Sequence, residues 1–147
     1  MATTDTQQTT AYGFGATVPL AYADAIDRIK GALKQEGFGV LTEVDIQATL
    51  KDKIGVDFEP YAILGACNPQ LAHRALQAEH EIGLLLPCNV IVHAHGANAT
   101  RISIMDPQAA LGFVGNAAIS PIATEARERL ERALAAVTGT SAATKGS

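Results

Sequence analysis

Tryptophan is absent, cysteine occurs twice, and aromatic residues make up only 5% of the chain. So little cysteine excludes a disulfide-framed domain. A chain of 147 residues does not need that framework, since a domain of this size buries roughly 68–70% of the surface its unfolded state exposes. Basic residues are also few: 11 Lys and Arg stand against 15 Asp and Glu, giving a net charge of −4. They form no cluster, which argues against a nucleic-acid partner, because that affinity comes from grouped cations. No apolar run reaches the roughly 20 residues that span a bilayer. Met1 to Thr10 is polar and Thr-rich, without the basic start and apolar stretch of a secretory leader, so the cytoplasm is the expected compartment and no membrane partner is expected. There the two cysteines are expected as free thiols.

Catalytic signatures are missing too. The chain contains no G-x-S-x-G turn, phosphate-binding P-loop, G-x-G-x-x-G fingerprint or H-E-x-x-H helix. Gly13 to Gly15 falls inside a strand pattern rather than between a strand and a helix. No catalytic residue and no cofactor is therefore assigned. The reading leans away from an enzyme.

What is present is clear patterning. With 48% hydrophobic and 18% charged residues, the composition is that of a globular chain. One α+β domain is expected over residues 12–137, between disordered tails at 1–11 and 138–147. Tyr12, Phe14, Ala16 and Val18 alternate as a first strand that stops at Pro19. Ile26, Ile29 and Leu33 recur at helical spacing, placing a helix over 21–36 with Gly37 as its C-terminal cap. Phe38 to Asp45 reads as a strand, Ile46 to Ile54 as a short helix ended by Gly55, and Tyr61 to Cys67 as a further strand. Asn68-Pro69 opens a helix with an Asn cap and Pro in the first position, and the same device recurs at Asp106-Pro107 and Ser120-Pro121. Cys88 to His95 and Arg101 to Met105 form a hairpin, followed by a long helix carrying Ile122, Ala126, Leu130, Leu134 and Val137 inward.

Four pieces taken in order resemble a known family: Glu36 to Ile46, Tyr61 to Pro69 ending in Cys67-Asn68-Pro69, the Leu-Pro-Cys core of Leu84 to Val90, and Met105-Asp106-Pro107. The family is domain of unknown function 302 (DUF302). The resemblance implies a two-layer α+β fold, a curved and mainly antiparallel sheet of about five strands backed by two long helices, of the TATA-binding-protein-like class. It also implies a homodimer. It implies no settled activity.

Two groups of side chains are candidates for function. The first is the thiol pair, the only strongly reactive groups on the chain. Cys67 ends a strand just before a helix, where free N–H groups favour a thiolate, although cysteine is also a common core residue. The helix that follows runs back roughly 18 Å. An extended Gly83 to Pro87 regains roughly 16 Å and returns Cys88 beside Cys67, whereas a strand starting at the end of the helix leaves Cys88 at the far edge. Together they would form a redox pair or a soft-metal site for copper or zinc.

The second group lies on the hairpin. His93 and His95 share one strand face, whereas Cys88 has the opposite parity. Setting Ala94 opposite Ile102, with a loop from Gly96 to Thr100, pairs His95 with Arg101 and His93 with Ser103. The patch of His93, His95, Arg101 and Ser103 then offers a site for a small anion. His73 and His80 read as surface residues of the middle helix. The expected function is non-catalytic binding of a small molecule, an anion or a protein beside the sheet. Thiol-based redox or soft-metal chemistry is the alternative.

Overall fold

The computed structural model describes residues 7–139. Six strands form one sheet in the order β1-β2-β6-β5-β4-β3. These are β1 (Gln7–Thr10), β2 (Gly13–Val18), β3 (Gly39–Asp45), β4 (Tyr61–Cys67), β5 (Cys88–Ala94) and β6 (Thr100–Met105). Every neighbouring pair is antiparallel. The helices are α1 (Tyr22–Gln35), α2 (Ile46–Ile54), α3 (Pro69–Ala78), α4 (Pro107–Leu111) and α5 (Ile119–Thr138). The expected α+β class, with helices backing an antiparallel sheet, is what the chain adopts.

Strand alternation explains the layering. Phe14, Ala16 and Val18 of β2 face inward with Ile102 and Ile104 of β6, Val90 and Val92 of β5, and Ala62 and Leu64 of β4. Ile29 and Leu33 from α1 and Leu130 and Leu134 from α5 complete the buried core over that face. Thr100 is fully buried among these apolar groups, and its hydroxyl donates to the Leu20 carbonyl at 2.8 Å. A buried hydroxyl needs such a partner. The tight approach of β2 to β6 requires Gly15, because a Cβ there would lie 2.9 Å from the Ser103 Cα.

Several expectations change. Gln7–Thr10, expected as part of a disordered tail, forms β1 on the edge of β2. Main-chain bonds to an edge strand need no apolar alternation, so a Gln-Thr segment shows no sign of the pairing. Helix α5 reaches Thr138, one residue into the expected C-terminal tail, while 140–147 and 1–6 lie outside the described residues. Ser120-Pro121 does not cap α5. The helix begins at Ile119, and Asn116 holds its start by accepting the Ala118 N–H at 2.9 Å on its side chain. Pro121 then occupies the first turn, where its missing N–H leaves no intrahelical bond unmade.

The hairpin also departs from expectation. Ala94 faces Thr100 and His93 faces Arg101, a slip of two residues from the expected pairing. A slip of two preserves which side chains face the core, so burial patterning is blind to it.

Candidate functional site

The site lies where β4 leaves the sheet and β5 enters it. Asn68 caps α3 by accepting the Leu71 N–H at 3.1 Å, and Pro69 takes the first helical position. That start directs Leu71, Ala72, Ala75 and Leu76 of α3 toward the end of the sheet. In β3 the register shifts between Val40 and Thr42. The bulged Leu41 is thereby turned to the rim with 69% of its surface exposed. Leu86, Pro87 and Cys88 enter from the other side, with Leu111 of α4 and Ile122 and Ala126 of α5 behind. These elements enclose a cavity of about 330 Å³. Its lining includes no Asp, Glu, Lys, Arg or His.

Both thiols line this cavity, and neither forms a disulfide. Cys88 stands beside Cys67, its cross-strand partner being Ala66. The return path is not the extended one expected. His80–Leu85 is a 3₁₀ segment, and α3 ends at Ala78, so the outward helix is short enough for a compact return. The Leu86–Pro87 peptide bond is cis.

Burial pushes the Cys88 thiol up to about 11, with the neighbouring Cys67 adding to the effect. Burial also raises Cys67. Among the described residues no group of three or more His, Cys, Asp and Glu side chains is placed to hold a metal ion.

The Cys88 value has a definite sign. An unfolded thiol with pKa near 9 releases its proton while the folded one keeps it up to about 11. The folded state then binds more protons across that window, so stability falls as pH rises through it. The expected loss traceable to Cys88 is on the order of 2 kcal/mol by pH 11. Urea unfolding of wild type and Cys88→Ala at successive pH values measures it as the difference in slope. In native protein near neutral pH, Ellman's reagent is expected to modify Cys67 and spare Cys88.

The polar patch expected on the hairpin is only partly gathered. Tyr61, His93, Arg101 and Thr17 lie in one row across four strands on the face away from the helices. The His93 ring stacks on Tyr61 at 5.1 Å between centroids, and its Nδ1 lies 3.5 Å from Glu59. Arg101 donates from Nη1 to the Thr17 hydroxyl at 3.3 Å, while its buried Nη2 has no partner among the described residues. Burial lowers the Arg101 pKa. Ser103 belongs to the next row, between Ile91 and Gly15, and His95 sits exposed in the loop, its N–H donating to the Ala99 carbonyl at 3.0 Å. His73 and His80 are exposed as expected.

The cavity draws on segments far apart in the chain, so no local pattern joins its lining residues beyond the two cysteines. The small Ala72 and Ala75 on the inward side of α3 were its only local sign.

No curated protein matches the chain. The chain is similar to the crystal structure of an uncharacterized conserved DUF302 protein from Bacillus stearothermophilus, with 32% identity and a TM-score of 0.80. That similarity covers 87% of this chain and 99% of the other. The family described as domain of unknown function DUF302 matches residues 14–137. The chain belongs to the DUF302 family.

Proposed function

We propose that this domain binds a small molecule in the cavity between α3 and the ends of β3, β4 and β5, without transforming it. The observation that carries the reading is the cavity itself, whose volume of about 330 Å³ falls in the range of small-molecule sites. No general base, activated nucleophile or metal cluster accompanies it among the described residues. A filled variant tests the assignment. Ala72 is half-buried on α3 and lines the cavity, so Ala72→Phe places a ring in the space without truncating the core. The environment-sensitive dye N-phenyl-1-naphthylamine is expected to brighten on binding wild type and to bind Ala72→Phe at least tenfold more weakly. Equal binding to the two proteins sinks the assignment.

Thiol chemistry is the second reading, favoured by the presence of both cysteines in one cavity. It ranks below binding because a raised pKa leaves little thiolate near neutral pH, and the thiolate is both nucleophile and metal ligand. Rapid modification of both thiols in the folded protein would reverse that order.

A further inference from the structure

We propose that the cavity selects uncharged, hydrocarbon-rich molecules of two to three rings or equivalent branched size, and excludes their anionic counterparts. The proposal rests on the cavity being the binding site and specifies what enters it.

The first argument is charge. A charged group transferred from water to an apolar enclosure needs a paired and hydrogen-bonded partner. The lining supplies no charged side chain, and its polar ones are Thr42, with a single uncharged hydroxyl, Asn68 and the two cysteines. Its amide, Asn68, is already occupied by the Leu71 N–H at 3.1 Å and directs its NH₂ toward the Glu36 carbonyl at 3.5 Å. The cysteines contribute neutral S–H groups, weak as donors and acceptors.

Nearby cations are committed elsewhere. Arg129 binds Glu125 at 3.1 Å and the Glu36 carbonyl at 3.2 Å. Arg127, adjacent in sequence to the lining residue Ala126, binds Asp106 and Glu131 and lies over the Phe14 ring. Neither is available to receive an anion without breaking an existing pair.

The mouth carries the same preference. Leu41 and Leu76 line the cavity with 69% and 38% of their surfaces exposed. An anionic head leaving the cavity would cross an apolar rim, whereas a neutral molecule gains contact there. Size follows from volume: an apolar cavity of about 150 Å³ accepts benzene, and this one, at about 330 Å³, is roughly twice as large.

A matched pair of dyes tests the class. N-phenyl-1-naphthylamine is uncharged, and 8-anilinonaphthalene-1-sulfonate is the same skeleton bearing a sulfonate. Both are titrated by fluorescence into full-length wild type, Ala72→Phe and Leu76→Arg. The neutral dye is expected to bind wild type at least tenfold more tightly than the sulfonate, and Ala72→Phe to weaken it. Leu76→Arg, which sets a cation at the exposed mouth, is expected to narrow the gap at least fivefold by improving sulfonate binding. Equal affinity of wild type for the two dyes, with both sensitive to Ala72→Phe, overturns the charge selection and leaves the cavity as the site. Insensitivity of both dyes to Ala72→Phe overturns the site and the selection together.

Discussion

Phe14→Ala is expected to cost about 3–5 kcal/mol of unfolding free energy, the usual range for truncating a buried aromatic side chain. Phe14 is 1% exposed at the start of the inward row of β2, opposite Ile104. Its ring carries a second interaction, because the Arg127 guanidinium lies 4.4 Å from the ring centroid. The cation–π contact contributes roughly 1 kcal/mol in a partly desolvated setting. Phe14→Leu should retain most of the apolar volume and lose the ring face, costing about 1–2 kcal/mol. Urea unfolding of the two variants separates volume from ring. A Phe14→Leu variant as stable as wild type would show that the ring face contributes nothing of its own.

Asp106→Ala is expected to cost about 2–4 kcal/mol. One carboxylate oxygen accepts the Gln108 N–H at 2.9 Å and caps α4, and the other binds Arg127. The Asp106 side chain is only 9% exposed, against 21% for its partner, so water compensates little when the pair is broken. Arg127 would keep Glu131 at 2.9 Å. That places the expected loss below that of a fully orphaned buried charge. In an Arg127→Met background the same replacement should cost only the cap, about 1 kcal/mol. Undiminished loss in that background would remove the ion pair from the explanation.

Local chemistry was the part of this fold that the sequence made legible. Gly55 marks the end of α2 at Ile46–Ile54, where it adopts the left-handed conformation, and Asn68-Pro69 marks the end of β4 at Tyr61–Cys67. Both spans match the structure. Register was less legible, since the two-residue slip that puts Arg101 opposite His93 leaves every core-facing side chain on the same face. For the same reason alternation alone assigns the polar patch to the outer face but does not fix which of its residues sit opposite one another.

The cavity was harder still to read. The juxtaposition of Cys67 with Cys88 depends on a 3₁₀ return that propensity did not distinguish from an extended one. Leu41 reaches the rim only because of an irregularity in strand pairing. Neither feature has a periodic signature.

The irregularity at Leu41 has an effect on the far side of its strand as well. β3 ends the sheet order, so one row of its peptide groups has no neighbouring strand among the described residues. A regular edge invites another polypeptide to add itself by main-chain bonding, the first step toward fibrous aggregation. One extra residue puts the spacing of that row out of step with an incoming regular strand. The residue that forms part of the cavity's apolar rim therefore also helps to keep the sheet from growing.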